Sequence, residues 1–146
     1  MILISHRGNI NGQFESHENK PNYIDNALSE GYNVEIDLWF VDNKLYLGHD
    51  KPQYEVTYDW LKKRKNKLWV HCKNLSALEF CDDKLDLHYF WHEEDTVTIT
   101  SRGTIWAYPG KQPINNSIAV MPEIYGDDIS SCLGVCSNFI SNYKYI

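Results

Sequence analysis

The chain has 146 residues, 42% hydrophobic and 23% charged, a balance suited to one globular domain with a sizeable core. Its net charge of −6, with no basic run longer than Lys62-Lys63-Arg64-Lys65, argues against a nucleic-acid-binding surface. No apolar run approaches the roughly 18 residues of a membrane span, so no stable membrane insertion is expected.

In chain order, Met1-Ile2-Leu3-Ile4 is too short for the core of a signal peptide and runs straight into Ser5-His6-Arg7. Residues 2–5 therefore read as a first buried strand. Residues 9–18 are polar, contain Gly12, and read as a loop. Pro21 opens a helix that puts Tyr23, Ile24, Ala27 and Leu28 on one face and stops at Gly31.

Residues 33–50, NVEIDLWFVDNKLYLGHD, carry the strongest pattern. A period of two puts Val34, Ile36 and Leu38 on one side of a strand, and Glu35 and Asp37 on the other. Same-side neighbours on a strand stand roughly 7 Å apart along the chain. Two carboxylates so placed can share a hard divalent cation, and oxygen ligands suit Mg²⁺ or Ca²⁺. Asp42-Asn43 supplies a turn, and the second apolar run, Leu45-Tyr46-Leu47, ends in His49-Asp50. The block thus reads as strand, turn, strand, with a histidine delivered near the acids. A solvated hairpin face is the plainer alternative, and the flanking histidines count against it.

Beyond this block, residues 58–65 read as a short helix whose basic last turn is solvated, 67–72 as a strand, and 76–81 as a helix. Strand candidates then follow at 87–91, 96–100, 104–108, 117–121 and 134–140, with Ser101-Arg102-Gly103 as a hairpin turn and one helical turn over 127–132. Cys72, Cys81, Cys132 and Cys136 show no CxxC or zinc-finger spacing. They read as free thiols of a reducing, cytoplasmic compartment. Residues 1–146 read as a single α/β domain with eight or nine strands. A barrel of eight full β/α units takes about 250 residues. A TIM-type barrel here is therefore reduced, with several outer helices shortened or missing.

Three strand ends carry polar groups: His6-Arg7-Gly8, then Glu35-x-Asp37 with His49-Asp50, then His71-x-Lys73. In parallel α/β barrels the strand C-termini converge on one mouth, where sites are built. Two histidines and a carboxylate-held cation suit phosphodiester cleavage. One imidazole removes a proton from the attacking hydroxyl and the other protonates the leaving oxygen, while the ion and an arginine offset charge on the phosphoryl oxygens.

These motifs together resemble the glycerophosphodiester phosphodiesterase family, among the phospholipase-C-like barrels. The resemblance rests on HRG (His6-Arg7-Gly8), EN (Glu18-Asn19), the helix ending at Gly31, ExD (Glu35, Asp37) and HD (His49-Asp50), in that family's order and roughly its spacing. It covers residues 2–50; afterwards only the succession of strands matches. It implies a TIM-type barrel, a divalent cation on Glu35 and Asp37, His6 and His49 as the acid–base pair, and Arg7 at the phosphate. Glu18 and Asn19 would brace the mouth or touch the ion or its waters. Asp50 is either an orienting partner of His49 or a plain loop acid. The family's third strand usually carries Glu-x-Lys, the Glu a further metal ligand, whereas His71, Cys72 and Lys73 stand there in this chain. Lys73 fits a phosphate-binding role. His71 is either a nitrogen ligand, which would favour a softer metal than Mg²⁺ or Ca²⁺, or a structural histidine.

The expected activity is metal-dependent hydrolysis of a glycerophosphodiester or similar small phosphodiester. The alternatives are a lipid hydrolase of phospholipase C or D type, and a non-catalytic barrel that binds phosphate. Among later residues, His88 and His92 with Glu93 or Glu94 read as a satisfied strand edge or a second metal site, and Trp106 and Tyr108 as packing or cavity aromatics. Glu123 is a candidate for the mouth, and Cys132 and Cys136 for the core. A homodimer is expected if the thinned helical coat leaves apolar flanks uncovered.

Overall fold

A computed structural model describes residues 1–84 and 86–146. Strand β1 (Ile2–His6) leads to helix α1 (Pro21–Ser29), β2 (Asn33–Val41), β3 (Lys44–Leu47), β4 (Tyr54–Val56), α2 (Tyr58–Arg64), β5 (Leu68–Cys72) and α3 (Leu75–Asp82). Then come β6 (Tyr89–Phe90), β7 (Val97–Ile99), β8 (Ile105–Ala107), β9 (Ser117–Val120) and β10 (Gly134–Ser137), with 3₁₀ turns at Pro122–Ile124 and Ile140–Tyr143.

Local chemistry sets the helix ends. Pro21 occupies the first turn of α1, where its missing amide hydrogen costs nothing, and Gly31 beyond the helix takes φ 98°. Thr57 caps α2 by accepting from the Trp60 amide at 3.1 Å, and Asn74 caps α3 by accepting from the Ala77 amide at 3.0 Å. The expected helical turn over 127–132 is absent. There the Asp127 carboxylate accepts from the Gly110 amide, and the Asp128 carboxylate from the Ser130 amide. Asp128 thus offers the local backbone a turn in place of a helix, while Asp127 is taken by a distant loop. The helical residues fall earlier, where Pro122 presets the first φ of Pro122–Ile124.

Among the described residues, ten strands form one curled, mixed sheet. Seven run parallel, in the order β6-β5-β2-β1-β10-β9-β8. Two antiparallel arms extend it: β3 and β4 from the far half of β2, and β7 from β8. The curl brings the ends of the parallel row together. The Ser101 amide donates to the Tyr89 carbonyl at 2.7 Å, and the rings of Phe90 and Trp106 lie 4.7 Å apart. With three helices and two antiparallel arms, the architecture is a curled half-barrel of the α/β class.

Alternation along the strands separates two cores. Val34, Ile36, Leu38 and Val70 face outward, where α1, α2 and α3 supply Ile24, Ala27, Leu61 and Ala77. Ile4, Trp69, Phe90, Trp106, Ile118, Val120 and Cys136 fill the inside of the curl. Cys72, Cys81 and Cys136 are buried and Cys132 partly so, all as free thiols. Among the described residues no helix is long and apolar enough to cross a membrane.

Two tests address this packing. Ile36 is fully buried between sheet and helices. Ile36→Ala is expected to lower the free energy of unfolding by about 2–5 kcal/mol, read from denaturant titration. His88 is buried beside the Trp69 ring with its Nε2 2.8 Å from Thr100 Oγ1, and burial, aided by Arg102, lowers its pKa from 6.5 to about 4. The unfolded chain binds a proton there that the folded chain refuses, so this contribution to stability is lost as pH falls from 6.5 towards 4. The melting temperature is expected to drop across that interval, and to drop less steeply in His88→Gln.

Candidate functional site

Parallel pairing places His6 of β1 opposite Glu35 of β2, and Asp37 of β2 opposite His71 of β5. All four project from the inner face, His6 and His71 near the C-terminal ends of β1 and β5, and Glu35 and Asp37 just before β2 leaves the parallel row. His6, Glu35 and His71 border a cavity of about 360 Å³ whose rim also holds Arg7, His49 and Lys73, and whose wall includes Phe90 and Trp106, while Asp37 lies buried behind it. A second cavity, of about 410 Å³, shares Arg7 and His49 with the first and is otherwise polar, with Gln13, Glu15, Asn19 and Gln53 on its lining.

Asp37 has no solvent exposure. Its Oδ2 lies 2.9 Å from Arg7 Nε and accepts from Asn19 Nδ2 at 2.8 Å, while its amide donates to Asn19 Oδ1 at 3.0 Å. Its Oδ1 faces His71 Nδ1 at 3.1 Å and Lys73 Nζ at 3.9 Å. Burial by itself would raise the Asp37 pKa, but the His71 hydrogen bond and the Arg7 charge outweigh it and hold the carboxyl well below its usual range. Glu35 goes the other way. Burial and then the negative charge of Asp37 push it well above the usual carboxylate range, against Arg7 and Lys73. Its Oε1 lies 3.8 Å from His71 Nδ1, and its Oε2, 3.8 Å from His6 Nε2, is buried without a hydrogen-bond partner.

The residues gripping Asp37 sit in unusual backbone. Arg7 has φ 56° and Asn19 φ 62°, a left-handed region that costs a residue with a side chain, and such outliers cluster at functional sites. The Arg7 amide donates to the Glu35 carbonyl at 3.0 Å and the Asn19 amide to the Arg7 carbonyl at 3.1 Å, which ties both turns to β2. Gly8 follows at φ 94°, packed so closely under α1 that a Cβ would stand 2.5 Å from Tyr23 Cδ1. Glu18 accepts from Arg7 Nη1 at 3.2 Å and from Asn9 Nδ2 at 2.8 Å. Glu18 and Asn19 therefore hold the arginine and the aspartate in place.

Hydrogen-bond partners fix the imidazole tautomers. Asn138 Oδ1 accepts from Asn9 Nδ2 at 2.9 Å, so it is also the acceptor for His6 Nδ1 at 2.7 Å. The hydrogen of neutral His6 then sits on Nδ1 and leaves Nε2 as a free base facing Glu35. Burial, then the Arg7 charge, lowers the His6 pKa from 6.5 to about 4. On His71, Nε2 lies 3.1 Å from the His92 carbonyl oxygen, which can only accept, so that nitrogen carries a hydrogen and Nδ1 points at the acids. His49 Nδ1 lies 2.7 Å from Asp50 Oδ1, and the His49 side chain is 42% exposed. The Gly48 amide donates to the Asp37 carbonyl at 3.1 Å and Trp39 Nε1 to the Gly48 carbonyl at 2.6 Å, so β2 pins the loop that carries His49.

Glu35, Asp37 and His71 each offer a ligand atom, all within 4.8 Å of one another, and this is the one group of three such side chains among the described residues. It could hold a metal ion, and the buried Glu35 Oε2, without a hydrogen-bond partner, fits a ligand role. His88 and His92 form no such group with Glu93 or Glu94; His92 Nδ1 instead lies 2.5 Å from Tyr108 Oη. Trp106 and Tyr108 do border the cavity. Glu123 does not, because Ser137 Oγ and Tyr143 Oη hold it at 2.7 and 2.9 Å. Asn9, Asn138 and the His92 carbonyl went unnoticed in the sequence: asparagines in turns are common, and a backbone oxygen leaves no signature there.

Comparison with known protein families, with curated proteins and with solved structures finds no match for the chain. Function thus has to be read from the site itself. Because Arg7 is the nearest full charge opposite Asp37, Arg7→Met is expected to strand a buried carboxylate and cost about 3–5 kcal/mol of stability, measured by chemical denaturation.

Proposed function

We propose that the chain is a metal-dependent phosphodiester hydrolase, similar to the glycerophosphodiester phosphodiesterases, and that its curled sheet is a reduced form of their TIM-type barrel. The observation that carries this reading is that His6, His49, Arg7, Lys73 and Glu35 border a single cavity. A phosphate binder needs the arginine and the lysine; two imidazoles beside them are what an acid–base reaction needs.

In this reading Arg7 and Lys73 take the non-bridging phosphate oxygens. His6 Nε2, unprotonated at neutral pH, accepts the proton of the attacking hydroxyl, which belongs to the substrate or to water. His49, its Nδ1 held by Asp50, donates a proton from Nε2 to the leaving oxygen as the P–O bond breaks. The products are an alcohol and a cyclic or open phosphate ester. A divalent cation held by Glu35, Asp37 and His71 would supply Lewis-acid stabilisation of the phosphoryl charge. Having two cavities that meet at Arg7 and His49 suits a diester, with one arm for each, better than a monoester. The cavities favour a small polar-headed substrate over a lipid.

The test is hydrolysis of bis(p-nitrophenyl) phosphate with added divalent ions. Turnover is expected to vanish with a chelator and to fall by about 10²–10⁴-fold in His6→Ala and in His49→Ala. Asp37 is already gripped by Arg7 and Asn19, which favours a second reading, a phosphate-binding module without catalysis. Binding of glycerol 3-phosphate with no turnover under any divalent ion would select that reading.

A further inference from the structure

The oxygen ligands alone suggest Mg²⁺ or Ca²⁺, but the environment of His71 points elsewhere. We propose that the ion of this site is a nitrogen-preferring first-row metal such as Zn²⁺ or Co²⁺, coordinated through His71 Nδ1 together with Asp37 and Glu35. This rests on the site binding a cation, and not on its cleaving a phosphodiester.

The geometry around His71 and Glu35 carries it. The His92 carbonyl fixes the hydrogen of His71 on Nε2, the second hydrogen bond by which metal-ligating histidines are commonly oriented. The other nitrogen is thereby presented to Asp37 Oδ1 at 3.1 Å and Glu35 Oε1 at 3.8 Å. Against two carboxylates, Nδ1 needs a positive charge between them: a proton, which gives the hydrogen bond to Asp37, or a metal ion in its place. Atoms sharing an ion at about 2.1 Å stand roughly 3.0–3.4 Å apart, so small adjustments complete the set.

The ring cannot easily turn away. It stacks on Phe90 at 5.1 Å with 7° between the planes, and has the His92 ring at 5.1 Å. Glu35 supplies an independent sign of a missing partner. It is 2% exposed, yet its Oε2 has no donor within reach.

Charge then discriminates between ion classes. Arg7 and Lys73 already bring two positive groups to Asp37, at 2.9 and 3.9 Å. A hard ion held by carboxylate charge alone must compete with both. An ion that also bonds imidazole nitrogen gains affinity the two side chains do not cancel, and Zn²⁺ and Co²⁺ exceed Mg²⁺ and Ca²⁺ in this respect.

The decisive experiment is calorimetric titration of the full chain, stripped by a chelator, with Zn²⁺, Co²⁺, Mg²⁺ and Ca²⁺. Zn²⁺ and Co²⁺ are expected to bind at least about 100-fold more tightly than Mg²⁺ or Ca²⁺, and His71→Gln to lower Zn²⁺ affinity by about 10–100-fold while leaving Mg²⁺ binding nearly unchanged. Circular dichroism establishes that the variant is folded. Should it not be, long-range nitrogen–proton NMR of the wild-type chain decides. Zn²⁺ must shift the Nδ1 signal of an imidazole whose hydrogen is on Nε2, the reverse of the His6 tautomer. Mg²⁺ or Ca²⁺ binding as tightly as Zn²⁺, Zn²⁺ affinity indifferent to His71→Gln, or no ion bound at all would overturn the proposal. Zn²⁺ held through His71 with no phosphodiester turnover would remove the hydrolase reading and leave this one standing.

Discussion

Two carboxylates sit side by side on one face of β2 where solvent scarcely reaches, and most of the surrounding polar structure answers to that fact. Two unit charges about 4 Å apart repel by roughly 4 kcal/mol at an effective dielectric of 20. The chain resolves the conflict asymmetrically. Asp37 receives Arg7, Asn19, His71 and Lys73 and stays ionised, while Glu35 is left with an unsatisfied oxygen and a strong preference for its neutral form. Opposite shifts in adjacent acids are a frequent mark of functional sites. Arg7 and Asn19, both in left-handed backbone, reach the Asp37 carboxylate together.

The sheet is arranged to bring this pair to a rim. β2 is long enough to do two jobs. Its first half lies parallel between β1 and β5, and its second half leaves that row to pair with β3. The point of departure is Asp37-Leu38, so the strand that buries the acids also launches the hairpin that returns with His49. Antiparallel arms extend the parallel row at β2 and β8, and the curl of the sheet leaves a cavity on its inner face.

Much of this was legible in the sequence where periodicity is strong. The alternation of Val34, Ile36 and Leu38 with Glu35 and Asp37 fixed both the strand and its polar face, and Pro21 and Gly31 bracketed α1. Short elements were harder. β4 has three residues after Pro52, fewer than a period needs to declare itself, and the candidate strand at 87–91 shortens to the two residues of β6. Asp127 and Asp128 look like helix-opening residues until one carboxylate is seen holding the Gly110 loop and the other closing a turn on Ser130. The ambiguity over His71 could not be settled by composition at all. What orients it is a backbone oxygen 21 residues away, and nothing in the identity of His92 announces that its carbonyl will be there.

The bond between His6 and Asn138 spans 132 residues and joins the first strand to the end of the last, whose register pairs Ile2 with Gly134. A chain emerging from the ribosome therefore carries its acids, its arginine and both histidines long before the asparagine that dictates which nitrogen of His6 holds the hydrogen. Until translation reaches β10, the imidazole has no fixed tautomer and β1 and β9 lack the strand that joins them. Nascent fragments would be chemically unready however well their early strands had paired.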